Sequence, residues 1–168
     1  AVDPWSVYHS ANTSAPETDY LVLDSNAATA DHSNRWQDTA PTSTLITLGA
    51  SGTVNGNGLT NVAYCFAEKQ GYSKFGSYTG NGNADGPFVY LGFKPAWVMV
   101  KETTSGNTND WNIYDSKRSA FNSMDDILEA NLADAEGTGR ADIDFLSNGF
   151  KQRNTHADSN RSSGVFIY

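Results

Sequence analysis

The sequence predicts an all-β protein made of two related units of short antiparallel strands. Two observations support this prediction: the composition favours strands and tight turns, and a set of motifs occurs twice. Of the 168 residues, 12% are aromatic, 15 are glycines and only 18% are charged. Aromatic and β-branched residues suit strands, and Asn and Gly tolerate the positive φ angles that hairpin turns require.

Alternating apolar and polar residues predict the individual strands. Such alternation occurs at residues 5–7, 21–23, 45–48, 62–66, 88–90, 97–99, 111–113, 143–145 and 165–167. Segments rich in Asn, Gly and Ser, at residues 55–58, 80–83, 105–107 and 148–149, predict turns between the strands. The Asn148-Gly149 pair lies between apolar residues on both sides and predicts a hairpin.

Residues 123–137 allow two interpretations. Ser123 could cap a short helix that ends at Gly137. The corresponding part of the first unit, residues 19–23, has an extended pattern, and this favours a strand instead.

Three motifs recur in the same order. WSVYHS at residues 5–10 matches WNIYDS at 111–116, VLDSNAA at 22–28 matches ILEANLA at 127–133, and VAY at 62–64 matches FIY at 166–168. Residues 76–101 precede the second copy and have no counterpart before the first. We therefore expect residues 1–70 to be the incomplete, C-terminal part of a first repeat unit and residues 71–168 to be a second unit. A single domain with duplicated halves remains the alternative.

The charge of the chain bears on its partners. The formal net charge is −8, which disfavours a surface that neutralises nucleic-acid phosphates or anionic lipid. The longest apolar run, residues 95–100, is far shorter than the ~20 residues that cross a bilayer. We expect neither a nucleic-acid partner nor a membrane partner.

No catalytic constellation stands out, and we expect a protein that is not an enzyme. The carboxylates that could pair as in a glycosidase are Asp24 with Asp31, and Glu129 with Asp134 and Glu136. Nothing in the sequence gives one of them an apolar pocket and a raised pKa. The three histidines lie in unrelated segments. The sequence therefore predicts no catalytic, cofactor-binding or metal-binding residue.

The aromatic residues of the predicted strands are expected to form the core, although a row of them could instead stack on a sugar. They are Trp97, Trp111, Tyr114, Phe150 and Tyr168 in the second unit, and Trp5, Tyr8 and Tyr64 in the first. Cys65 is expected to be a small buried residue. Trp36 lies outside any strand pattern, and an exposed or interfacial position is expected for it.

The loop at residues 81–86 carries oxygen-bearing side chains at alternate positions, as calcium loops do. The closing Glu of such a loop is absent, because Gly92 occupies that position. A turn stabilised by Asn and Asp side chains is the favoured interpretation. The candidate ligand or interface contacts are therefore Trp36, Asn81, Asn83 and Asp85.

An ordered set of longer motifs resembles a domain that recurs in tail-fibre and other virion proteins of marine bacteriophages, often next to concanavalin-like jelly-roll domains. These motifs are VAYCFAE at residues 62–68, GYSKFGSYTGNG at 71–82, GFKPAWVMVK at 92–101, WNIYDSKR at 111–118 and FLSNGFK at 145–151. The resemblance covers residues 62–168, and residues 5–61 resemble the later part of a preceding copy.

The resemblance implies an antiparallel β-sandwich of the jelly-roll or concanavalin-like kind, in an extracellular part of the virion. The expected function is that of a structural module of a phage tail fibre or capsid appendage that contacts a host receptor. The expected partners are other copies of the chain or other virion proteins, together with a host surface glycan. The alternative is a carbohydrate-binding module of an extracellular protein.

Overall fold

The computed structural model describes residues 3–104 and 109–168. The predicted turn at residues 105–107 lies outside these ranges. Within them the chain forms short strands and two single-turn helices, and neither helix has the length or the apolar character needed to cross a membrane. The elements are β1 (Ser6–Val7), β2 (Asp19–Val22), β3 (Ala30–Asp31), α1 (Gly52–Asn55), β4 (Ser77–Thr79), β5 (Phe88–Tyr90), β6 (Trp97–Glu102), β7 (Asn112–Asp115), β8 (Leu128–Glu129), β9 (Ile143–Leu146), β10 (Gly149–Gln152), α2 (Ala157–Asn160) and β11 (Val165–Ile167).

The strands form three antiparallel sheets, which confirms the all-β prediction. The first half of the chain forms the small sheet β1-β2-β3. The second half forms a three-stranded sheet, β5-β10-β9, and a five-stranded sheet, β4-β11-β6-β7-β8. Among the described residues, three strand pairs join strands that are distant in sequence: β5 with β10, β4 with β11 and β6 with β11.

The main hydrophobic core lies between the two sheets of the second half. In β6, Val98 and Val100 are buried in this core, whereas Met99 packs on the opposite side of the sheet. This alternation follows from the two-residue period of a strand. The other buried core residues are Tyr78, Val89, Leu91, Tyr114, Met124, Ile127, Ile143, Phe145, Phe150 and Phe166.

A second, smaller core joins the two halves of the chain. Trp111 and Ile167 of the five-stranded sheet share it with Leu21 of β2. All three side chains are at most 4% exposed. The sheet of the first half therefore packs on the outer face of the five-stranded sheet.

Several strand predictions are confirmed and two are wrong. The strands predicted around residues 5–7, 21–23, 88–90, 97–99, 111–113, 143–145 and 165–167 correspond to β1, β2, β5, β6, β7, β9 and β11. Residues 45–48 and 62–66 form no strand, although both have the alternating pattern. A strand needs a neighbour to pair with, and neither segment has one among the described residues.

The hairpin prediction is confirmed with a shift of one residue. β9 and β10 pair with Leu146 opposite Gly149, so the turn consists of Ser147 and Asn148, and Gly149 begins the next strand. A Cβ atom on Gly149 would lie 2.0 Å from the carbonyl oxygen of Val89, which explains why glycine occupies this position. The helix considered for residues 123–137 is wrong: this segment contains β8 and a bridge between Ile127 and Gly137.

The core prediction holds for some of the aromatic residues only. Trp111, Tyr114 and Phe150 are buried, whereas Trp5, Tyr64 and Trp97 are 47%, 71% and 54% exposed. Cys65 is exposed, so its predicted burial is wrong. Trp5, Tyr64 and Cys65 all belong to the first half, which forms only the small sheet.

Candidate functional site

The loop at residues 81–86 is organised by its own side chains. The Asn81 side-chain oxygen accepts the backbone N–H of Asn83 at 3.0 Å, and the Asn83 side-chain oxygen accepts that of Asp85 at 2.8 Å. These bonds are typical of turns stabilised by Asn and Asp. The side chain of Asn160 donates to the carbonyl oxygen of Asn83 at 2.8 Å and ties the loop to the end of α2. Three of the four predicted site residues therefore lie together in one rigid turn.

Asp85 is the outermost residue of this turn. Its carboxylate lies 2.8 Å from the Lys151 ammonium, and its side chain is 83% exposed. The hydrogen bond and the charge of Lys151 hold the pKa of Asp85 below its usual value. Lys151 also donates to the carbonyl oxygen of Gly86 at 2.7 Å, so the turn is held against β10.

Trp36, the fourth predicted site residue, is buried. It is 7% exposed, and its indole N–H donates to the carbonyl oxygen of Asp19 at 2.9 Å. Tyr8 packs edge-on against it with ring centroids 6.0 Å apart. The expectation that Trp36 is exposed is therefore wrong, because the short strands of the first half close over it. These contacts place it apart from the turn at residues 81–86.

The contact between the two halves includes polar groups as well as the small core. The indole N–H of Trp111 donates to the carbonyl oxygen of Val22 at 2.9 Å. The His9 ring lies 3.0 Å from the carbonyl oxygen of Tyr168, and burial lowers the pKa of His9. These bonds fix the position of β1 and β2 on the five-stranded sheet.

Lys101 contributes a buried charge to the same contact. Its side chain is fully buried, and its ammonium donates to the carbonyl oxygens of Asn26, Glu102 and Asn109 at 3.1, 3.0 and 2.7 Å. Burial lowers the pKa of Lys101 to about 8. Since Asn26 belongs to the first half, this lysine also joins the two halves.

The same local structure occurs once in each half. The backbone N–H of Trp5 donates to the Asp24 side chain at 2.8 Å, and that of Trp111 donates to the Asn131 side chain at 2.9 Å. The carbonyl oxygens of these tryptophans accept the N–H groups of Leu23 and Ala130 at 2.9 and 3.0 Å. Each pair of positions is separated by 106 or 107 residues.

The strand pairing is duplicated in the same way. β1 pairs with β2 as β7 pairs with β8, and the contact of β2 with β3 matches the bridge between Ile127 and Gly137. In this register Val22 corresponds to Glu129, whereas the sequence motifs align Val22 with Ile127. Three contacts correspond between the halves. The pair Ser6–Val22 matches Asn112–Glu129, the pair Val7–Leu21 matches Ile113–Leu128, and the pair Tyr20–Ala30 matches Ile127–Gly137.

The two helices, and one arginine in each half, also correspond. α1 and α2 each span four residues, begin after extended residues and lie 105 positions apart. Arg35 donates to the side chain of Thr53 in α1, and Arg140 donates to the carboxylate of Asp158 in α2 at 2.9 Å. The two halves therefore share a buried or half-buried arginine that binds the helix.

The first half also carries an exposed apolar surface, which we call the open face. It consists of Leu45, Ile46, Leu48, Val62, Tyr64 and Phe66, each at least 43% exposed. The open face lines part of a wide groove of about 1920 Å³. The aromatic ring of Trp5 stacks on Tyr64 within it, with centroids 6.0 Å apart.

The most buried carboxylate of the second half is Asp142, which the sequence analysis missed. It accepts a hydrogen bond from the Tyr114 hydroxyl at 3.2 Å and lies 2.9 Å from the guanidinium of Arg140. Burial raises the pKa of Asp142 and raises that of Tyr114 well above its usual value. Arg140 also binds Asp158, so these groups form a network that holds α2 against the five-stranded sheet. No local sequence pattern marks Asp142, because its burial depends on strands from distant parts of the chain.

The carboxylates considered for glycosidase chemistry have other contacts. Asp24 accepts the backbone N–H of Trp5, and Glu136 pairs with Arg118 at 2.7 Å. Burial raises the pKa of Glu129. Across residues 3–104 and 109–168, no group of three His, Cys, Asp or Glu side chains is placed to hold a metal ion.

A smaller groove of about 430 Å³ lies beside β5. It is lined by residues 68–71, Ser73, Lys74 and residues 90–93. Tyr90 is 63% exposed at this groove, and the acidic and basic side chains of Glu68, Lys69 and Lys74 lie around it. An exposed aromatic ring beside charged and polar groups is an arrangement that can bind a small polar ligand.

Comparison with known proteins identifies a family for the chain. A family model described as a domain of unknown function, DUF7483, matches residues 1–168, so that one model spans both halves. The comparisons find no significant match among curated proteins or among solved structures. The chain therefore belongs to the DUF7483 family.

Proposed function

We propose that this chain is a structural module of an extracellular bacteriophage appendage, such as a tail fibre or a capsid appendage, and that it contributes to host attachment. In this proposal the second half is an antiparallel β-sandwich of the jelly-roll or concanavalin-like kind. Residues 1–70 and 71–168 are two related units. The acidic, turn-rich surface and the resemblance to virion proteins support this proposal.

The observation that carries the proposal is the packing of one copy of the duplicated structure against the other. Leu21 of the first half is buried against Trp111 and Ile167 of the second. The pairing of β1 with β2 in the first half matches the pairing of β7 with β8 in the second. Like units that pack in series are the basis of extended repeat assemblies, where each unit contacts its neighbours. Fibres and other virion appendages are assemblies of this kind.

Immunoelectron microscopy tests the proposal. A gold-labelled antibody against the chain should decorate an appendage of purified virions from the phage that carries the gene, and preimmune serum should not. Labelling confined to the lysed host cells, with none on intact virions, would contradict the proposal.

The second candidate is a carbohydrate-binding module, and the groove beside β5 favours it. The ligand would stack on the exposed ring of Tyr90 rather than on Trp36, which is buried. A glycan array tests this candidate, with Tyr90→Ala expected to abolish a signal that Phe121→Ala, at an 83% exposed residue outside the groove, preserves. An array without signal for the unmodified chain would contradict glycan binding.

A further inference from the structure

Residues 60–66 form a segment whose backbone groups have no hydrogen-bond partner among the described residues. Val62, Tyr64 and Phe66, at alternate positions, are 66%, 71% and 78% exposed. A row of free backbone groups with alternating apolar side chains has the properties of a strand that can pair with another chain.

The corresponding segment of the second half is buried at its central residues. The motif match places Val62 and Tyr64 at the positions of Phe166 and Tyr168. Phe166 and Ile167 are at most 1% exposed, because β11 lies between β4 and β6 and pairs with both. The ring of Tyr78 in β4 stacks on Phe166 with centroids 5.2 Å apart.

The residues that cover β11 come from the part of the chain that has no counterpart in the first half. β4, β5 and β6 all lie within residues 77–102. Among the described residues of the first half, no strand lies in a position like that of β4, β5 or β6. This difference explains why the same motif is buried in one half and exposed in the other.

We propose that residues 60–66 and the open face are a strand-acceptor site, and that the occupant is a strand set like β4, β5 and β6 supplied by another unit of the same family. The proposal deepens the proposed function, on which it rests for the repeat relationship, because it names the contact that joins successive units. The occupant would bring two strands to flank residues 61–64, as β4 and β6 flank β11. Its apolar residues would cover Val62 and Tyr64, as Tyr78 covers Phe166.

This mode of recognition combines two sources of affinity. Main-chain hydrogen bonds along an added strand give affinity without regard to side chains, and pockets for alternate side chains give specificity. The open face supplies the apolar part, because removing exposed apolar side chains from water favours association. An unrelated extended peptide can add one strand, whereas another unit of this family can supply strands like β4, β5 and β6 together.

The test uses a synthetic peptide of residues 76–102 of this chain, added to the intact chain. We expect saturable one-to-one binding by isothermal titration calorimetry, together with slowed amide hydrogen exchange at residues 60–66. The variant Val62→Asp should weaken binding at least tenfold, because it places a charge on the covered face. Phe121→Asp is the matched control: this side chain is 83% exposed and lies outside the wide groove, and the change should leave the affinity within twofold.

The outcomes separate this inference from its alternatives. Absence of binding, or binding that Val62→Asp leaves unchanged, would overturn it. Protection confined to residues 165–168 would also overturn it, because the peptide would then exchange with the β4 and β6 strands of the second half. A dimer of the intact chain that the peptide fails to disperse would indicate that a second copy covers the open face in another way. Virions that are labelled by the antibody while the peptide does not bind would refute the acceptor site and leave the proposed function standing.

Discussion

Replacing Trp111 with alanine tests the packing between the two halves of the chain. This side chain is 4% exposed and lies between the five-stranded sheet and β2, where it shares the small core with Leu21. Truncating a buried Trp costs about 3–5 kcal/mol, because the lost contacts leave a cavity. The change also removes the donor to the carbonyl oxygen of Val22, which keeps the backbone N–H of Ser25 as a partner, so this loss adds little. We therefore expect a total loss of about 4 kcal/mol in the free energy of unfolding.

The chain contains its own control for this experiment. Trp5 holds the corresponding position in the first half and has the same backbone contacts, yet it is 47% exposed. Trp5→Ala should therefore change the free energy of unfolding by no more than about 1 kcal/mol. Urea unfolding followed by far-UV circular dichroism measures both variants, and the slope with urea concentration shows whether the transition stays two-state. Equal losses at the two positions, or a loss below about 1 kcal/mol for Trp111→Ala, would refute the packing described here.

Three further predictions concern single side chains. Lys101 should titrate near pH 8 when its side-chain carbon shifts are followed by NMR, and a midpoint near the usual lysine pKa would contradict its burial. Between about pH 8 and pH 10.5 the unfolded chain binds more protons than the folded chain, so the free energy of unfolding should rise with pH in this range. Cys65 is exposed and should react fully with Ellman's reagent in the native protein, whereas a reaction that requires denaturant would contradict the open first half. Asn160→Ala should cost about 1–3 kcal/mol in urea unfolding, because it leaves the carbonyl oxygen of the buried residue Asn154 without its donor; no change would show that α2 and the turn are held by other contacts.

The parts of the fold that depend on local sequence were predicted well. The hairpin of β9 and β10 needs only a tight turn between two apolar segments, and the sequence shows both. The turn at residues 81–86 was predicted for the same reason, because Asn81 and Asn83 bond to backbone groups two residues away. Contacts between residues that are close in sequence can be predicted from the local sequence alone.

The parts that depend on distant neighbours were not predicted. Residues 62–66 alternate as a strand does, yet no strand within residues 3–104 and 109–168 pairs with them. β4 was missed because a single apolar residue, Tyr78, lies between polar ones, and its burial comes from Phe150 and Phe166. The buried charges of Lys101 and Asp142 likewise have partners far away in the sequence, Asn26 and Tyr114.

The motif alignment of the two halves differs in register from the correspondence between their strand contacts. In the motif alignment Val22 corresponds to Ile127, whereas in the strand contacts it corresponds to Glu129. Short apolar motifs can be shifted by two residues without changing which face they present, because side chains alternate with a period of two. The hydrogen bonds of Trp5 and Trp111 resolve this ambiguity.

Amide hydrogen exchange of the chain by itself, read residue by residue, is the most direct test of the central claim that one half is closed and the other is open. The account predicts slow exchange at Phe166 and Ile167 and unprotected exchange throughout residues 60–66. Comparable protection in the two segments would contradict it, since the first half would then complete its own sheet.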